Sequence, residues 1–218
     1  LVHLMTTSTT VDLYKKSIAL FPDSPEAYVN LGNLFRGIKR LEEAEIYTKK
    51  ALQIDPNLAT AHYNLGGLLI DKGNFKEAEI ENRKAIEINP NYAAAYSNLG
   101  NVFKALGKLE DAEKSQIKAI ELQPDLADAH LNLGGILKEK GKMEEAKLSI
   151  LRSIKIKPNY ALAHYMLCNI YSMENNYVKD QEEVNKAIIL DPKNHIYQGE
   201  LTRLKYLSNK FDEELIKE

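Results

Sequence analysis

Apolar residues recur along this chain at helical spacing, in paired blocks separated by short polar breaks. In one block Tyr96, Leu99, Gly100 and Phe103 are spaced i, i+3, i+4, i+7, which places them on one face of a helix. Gly107 follows, a residue that tolerates the left-handed conformation closing many helices. Gly73 and Gly141 stand at equivalent points, Asn175 can serve there, and Lys39 is the exception, which predicts strain or a different closure. A second helix is predicted over about residues 109–122. Glu110, Asp111 and Glu113 gather at its start and Lys118 lies near its end, as the helix dipole favours. Pro124 stops it, because the residue before a proline avoids the helical region.

The pattern repeats. Pro22, Pro56, Pro90, Pro124, Pro158 and Pro192 are each 34 residues apart. Leu31, Leu65, Leu99, Leu133 and Leu167 keep the same step, and beside them run Gly32, Gly66, Gly100, Gly134 and then Cys168. Ala44, Ala78, Ala112 and Ala146 form another column, which breaks at Asp180; Ala51, Ala85, Ala119, Ser153 and Ala187 form one more. This phase gives five units, 25–58, 59–92, 93–126, 127–160 and 161–194. A partial repeat over 1–24 precedes them, and a partial repeat or cap over 195–218 follows. Glycine inside a helix costs about 1 kcal/mol relative to alanine. Its presence in four consecutive units predicts a close backbone approach between the two helices of each unit.

These columns, with the aromatic or histidine before each Leu-Gly pair (Tyr28, His62, Tyr96, His130, His164), resemble the tetratricopeptide-repeat family over nearly the whole chain. The resemblance implies an all-α, right-handed superhelix of antiparallel helix pairs, with the first helices lining the concave side. It also implies a protein- or peptide-binding scaffold rather than an enzyme. Solenoids need a more polar terminal unit, so the 195–218 segment reads as a cap or as the point where a longer chain is cut. Asp180 puts a charge where a buried alanine is expected, which predicts that 161–194 is the weakest unit.

Composition narrows the rest. Of 218 residues 28% are charged, yet the net charge is −2, so no basic excess points to nucleic acid or an anionic membrane. Cys168 is the single cysteine, which leaves no internal disulfide and no metal site built on cysteines. No apolar run reaches the roughly 18 residues of a membrane span. The opening "LVHLMTTSTT" lacks the basic flank and apolar stretch of a signal peptide, so a cytoplasmic location is expected. Its first residue is Leu, which predicts a processed chain or a fragment.

Candidate chemistry is sparse. His62, His130 and His164 share a column, but equivalent residues of neighbouring helices lie about 8–10 Å apart, too far for ligands at ~2 Å from one zinc ion. They alternate with Tyr28 and Tyr96, which favours packing. A catalytic thiol needs a neighbour that lowers its pKa, and none is evident for Cys168. "GGLLIDKG" and "GGILKEKG" are helix interiors rather than phosphate loops. No catalytic residue, cofactor or metal is expected.

One polar column is harder to dismiss. Asn30, Asn64, Asn98 and Asn132 recur just before the core Leu, with Asn33, Asn101 and Asn169 one turn further along. The Asn64 column lies about one hundred degrees round the helix from the Leu column, toward the inner surface the resemblance implies. Such a residue either bonds locally between helices, holding units in register, or faces a ligand. A carboxamide offers one acceptor and two donors, matching the C=O and N–H of a peptide backbone. A step of about 10 Å between units equals roughly three residues of extended chain. One Asn per unit can therefore hold an extended peptide by its main chain, with Tyr63 and Tyr165 beside it in the groove. The arrangement resembles the asparagine ladder in the tetratricopeptide arm of O-linked N-acetylglucosamine transferase, and it ends at Met166. The lysines of a carboxylate clamp are missing at Val29, Tyr63, Ser97, Leu131 and Tyr165. Two rival readings remain: the recognition arm of a larger enzyme such as a glycosyltransferase, and an RNA-binding helical repeat, against which the charge argues.

Overall fold

The computed structural model of the protein describes the backbone of residues 2–215 and the side chains of residues 9–206. Among them lie twelve helices and no strand. They are α1 (Val2–Leu20), α2 (Pro25–Gly37), α3 (Leu41–Ile54), α4 (Ala59–Asp71), α5 (Phe75–Ile88), α6 (Ala93–Ala105), α7 (Leu109–Leu122), α8 (Ala127–Glu139), α9 (Met143–Ile156), α10 (Ala161–Met173), α11 (Tyr177–Leu190) and α12 (His195–Leu215). The helices fall into two compact units, residues 1–122 and 123–218. Within the first, α2 packs on α3, α4 on α5 and α6 on α7, and the first helices touch in turn, α2 on α4 and α4 on α6. Within the second, α8 packs on α9, α10 on α11 and α11 on α12.

The turn after each first helix closes in the same way. Asn74 N–H donates to Leu69 O at 2.8 Å and Gly73 N–H to Ile70 O at 3.0 Å, which satisfies carbonyls the helix leaves open. The residue at the bend is left-handed: Gly73, Gly107 and Gly141 have φ of 78°, 73° and 78°. Asn175 has φ 55°, and Lys39 adopts φ 63° despite its side chain, so the closure is conserved in shape and strained at that lysine. Arg40 N–H still reaches Phe35 O at 2.9 Å.

The glycine column is the seam inside each pair. A Cβ on Gly32 would stand 2.6 Å from Thr48 Oγ1 and 3.2 Å from Ala44 O, and one on Gly134 would meet Ile150 at 2.6 Å and Ala146 O at 3.1 Å. The residues opposing Gly66 and Gly100 are Asn82 and Gln116, both fully buried. Their amides turn to backbone: Asn82 Nδ2 donates to Ala78 O at 2.8 Å, and Gln116 Nε2 to Ser97 O at 2.9 Å. In the first unit the core is built from Leu31, Phe35, Leu65, Leu68 and Val102. In the second, Leu131, Ile150, Leu167 and Ile170 form one cluster, and Cys168, Val184, Ala187, Tyr197 and Leu204 another.

Candidate functional site

The histidine column is structural, and its partners were not foreseen. His62 Nδ1 lies 2.6 Å from Glu81 Oε2 and its Nε2 2.9 Å from Pro56 O. His164 repeats this with Glu183 at 2.6 Å and Pro158 O at 3.0 Å. His130 Nε2 reaches Pro124 O at 3.0 Å. A ring whose two nitrogens both face oxygen acceptors donates to both only as the imidazolium. The bond to Glu81 accordingly raises the His62 pKa against the opposing effect of burial. Burial pushes Glu81 up, but bonds from His62 and Lys84 outweigh it and its pKa lies below the usual carboxylate value. The carboxylate sits nineteen residues after His62 and after His164. At that spacing Tyr28 stacks on Tyr47, with ring centres 6.4 Å apart.

Among the described residues, one group brings metal-ligand types together: Cys168 Sγ and carboxylate oxygens of Asp180 and Glu200, all within 4.8 Å. These donors are already engaged. The thiol donates to Asp180 Oδ1 at 2.8 Å, and Arg203 Nε donates to Glu200 at 3.0 Å while its Nη2 reaches Ser172 Oγ at 2.7 Å. Burial and the Asp180 carboxylate push the Cys168 pKa far up, so the thiol keeps its proton and is a poor nucleophile and a poor ligand. Glu200 and Arg203 stand in the phase of the two asparagine columns, 34 residues after Met166 and Asn169.

The asparagines themselves divide. On α2, Asn30 and Asn33 are exposed on one stripe. On α4, Asn64 is enclosed, with 6% of its surface accessible. Asn98 is half-buried and turns its Nδ2 inward, where no acceptor meets it. Asn101 is half-buried and accepts from Gln116 Nε2 at 3.2 Å; Asn132 and Asn169 are half-buried as well. The accessibility of Asn64 differs from that of Asn30 although they share a column; the helix of Asn64, α4, touches both α2 and α6. Tyr63 and Tyr165 are half-buried, each tilted against another tyrosine: Tyr92 at 5.0 Å and Tyr197 at 4.9 Å between ring centres. Burial pushes the Tyr92 pKa up to about 12.

The second row is interrupted by Gly67 and Gly135. At Gly67 the gap is filled from the neighbouring helix. The Arg36 guanidinium lies over the α4 backbone, so close that a Cβ on Gly67 would stand 2.6 Å from Nη1, and Asp71 accepts from its Nε at 2.7 Å.

Among the described residues, no helix is long and apolar enough to cross a membrane. A search of the curated proteins finds no match. Family models described as "Tetratricopeptide repeat" match residues 25–58, 57–125 and 127–160. Among solved structures, the chain is similar to YrrB, described as a TPR protein with an unusual peptide-binding site. Identity to YrrB is 27% over 85% of this chain and 96% of that one, with a TM-score of 0.56. It is similar also to PilF of Pseudomonas aeruginosa, with 24% identity over 86% of each chain and a TM-score of 0.74. A chain of the Cut9–Hcn1 hetero-tetramer of APC/C shares the fold, with a TM-score of 0.85 at 15% identity over 92% of this chain and 40% of that one. The period, the helix pairs, the glycine seam and these matches converge: the chain belongs to the tetratricopeptide-repeat family of protein-interaction scaffolds.

Proposed function

We propose that this protein is a non-enzymatic scaffold that holds an extended peptide by its main chain. The observation that carries the reading is the recurrence of a carboxamide at one point in four consecutive units, on first helices that touch in sequence from α2 to α4 to α6 within the first compact unit. A carboxamide pairs with a peptide bond whatever side chain the peptide carries. Asn30 and Asn33 offer theirs openly, and Asn98, Asn101, Asn132 and Asn169 in part. Asn64 must be uncovered before it can take part. The similarity to YrrB, a protein described by its peptide-binding site, supports a peptide as the ligand class.

An N-methyl scan tests the reading. Peptides retained from a random twelve-residue display library are resynthesised with one backbone N–H methylated at a time. Main-chain reading predicts a loss of about tenfold that recurs roughly every third residue, and a matching loss in Asn98→Ala. A flat methylation profile would show that side chains alone are read.

A further inference from the structure

Three positions that vary from repeat to repeat meet at one place on the first unit. Lys39 stands where other units place Gly73, Gly107 and Gly141, and it holds a left-handed backbone that a side chain makes strained. Gly67 stands where Asn33 and Asn101 are expected. Asp71 occupies a position that is Gly37 in the unit before, Ala105 in the unit after and Glu139 in the one beyond. All three converge on Arg36. The absence of a side chain at Gly67 admits the guanidinium flat against α4, and Asp71 fixes it through Nε. Asn33, Arg36, Gly37, Lys39 and Asp71 line a cavity of about 270 Å³.

The electrostatics leave a cation over. Asp71 neutralises one of the two positive charges and engages one edge of the guanidinium. Among the described residues the Nη groups of Arg36 meet no acceptor, and Lys39 is exposed. Arginine presents its donors in a planar fork that matches an oxyanion at two points, and fixing that fork in advance lowers the ordering cost of using it. The geometry points to a subsite for an anionic group, a carboxylate or a phosphate carried by the bound peptide, gripped by Arg36 and Lys39 beside the carboxamide of Asn33. This subsite rests on the peptide-binding reading and adds to it what the asparagines cannot supply, a fixed register. A main-chain ladder is indifferent to a slip of the peptide, whereas one anchored anion sets where the peptide starts.

The test uses the full chain and the random twelve-residue display library. Wild type is expected to enrich Asp or Glu at one fixed position. For an enriched peptide, replacing that residue by its amide, and separately Arg36→Gln, should each weaken binding by about tenfold. A phosphoserine at the same position distinguishes the two sources: tighter binding assigns the subsite to phosphate, weaker binding to carboxylate. Because Arg36→Gln also breaks the contact to Asp71, Lys39→Gly supplies the second arm. It relieves the strained backbone, so melting should rise while affinity for the acidic peptide falls several-fold. A purely structural lysine would not move the two in opposite directions. Enriched peptides without an acidic position, or affinities unchanged in both variants, overturn the subsite and leave the ladder standing. Acid dependence that persists while Asn98→Ala and N-methylation have no effect upholds the subsite and removes the ladder. Retention of no peptide overturns both.

Discussion

Repeats 59–92 and 161–194 use the same columns to opposite ends. In the first, Gly66 and Ala78 leave a trough that Asn82 fills, and its Nδ2 bonds back to Ala78 O. In the second, Cys168 and Asp180 fill the trough from the other side, and Val184, which reaches less far from the backbone than asparagine, packs with them. The two departures are thus one contact, a thiol donating to a carboxylate that is fully buried. What differs is the cost. Asn82 Oδ1 lacks a partner and so does Asp180 Oδ2, but an unpaired amide oxygen is cheaper to bury than a carboxylate. Burial raises the Asp180 pKa and outweighs the hydrogen bonds from Cys168 and Ser172; Glu200 adds to the rise and Arg203 opposes it. A carboxyl group raised above its unfolded value of 3.8 destabilises the fold progressively as pH climbs through that value to the folded one, and the cost is complete above both.

Moving the polar pair into the wrong repeat should break the comparison most severely. Gly66→Cys/Ala78→Asp keeps Asn82 in place, so the seam is overpacked and a charge is buried with no cation near it. A loss of about 3–5 kcal/mol in denaturant unfolding is expected, with partial recovery on adding Asn82→Val. A loss below about 1 kcal/mol would mean the seam yields.

The converse change should sharpen it. Asp180→Ala should stabilise 161–194 by about 1 kcal/mol, and the gain should grow as pH rises from about 4 toward 7. Hydrogen exchange should slow in α10 and α11. A gain independent of pH would show that the carboxyl is neutral throughout.

The histidine pairs are what the two repeats share. The raised pKa of His62 means its contribution is complete below the unfolded value of 6.5 and fades as pH rises through the folded one. The lowered pKa of Glu81 means its share fades as pH falls below 4.5. Melting followed between these limits and above them should show the decline, and His62→Tyr, copying Tyr28, should flatten it. An unchanged profile would assign the effect elsewhere.

The smallest effect separates columns. Asn64 and Met166 are equivalent in phase, and only the asparagine is enclosed. Asn64→Ala should lower stability by about 1 kcal/mol, whereas Asn30→Ala should stay within about 0.5 kcal/mol. Equal losses would mean that accessibility does not sort the column.

Period, helix pairing and the closeness at Gly66 were legible because they follow from spacing along one helix. Partnerships between helices were not. Cys168 and Asp180 were visible as two exceptions, but nothing local says that their side chains meet. His62 and Glu81 lie nineteen residues apart across a turn, a distance no helical period reports. The exposure of Asn64 depends on what its neighbours contribute, just as the gap at Gly67 acquires meaning only from Arg36 of the preceding unit.

The seam also bears on how such a gene can be rearranged. Each glycine and the residue opposing it lie within one 34-residue unit, between consecutive prolines. A crossover at the proline column therefore passes on both halves of a seam together, and whole units can be duplicated or lost without mismatch. A crossover in the turn between the two helices separates them. Among the four units with glycine, little follows, since Thr48, Asn82, Gln116 and Ile150 all face the same empty place. Joined to the helix of Asp180, however, any of those glycines would leave a buried carboxylate without its thiol, and Cys168 joined to Asn82 would collide with it. The fifth unit can be inherited intact or not at all.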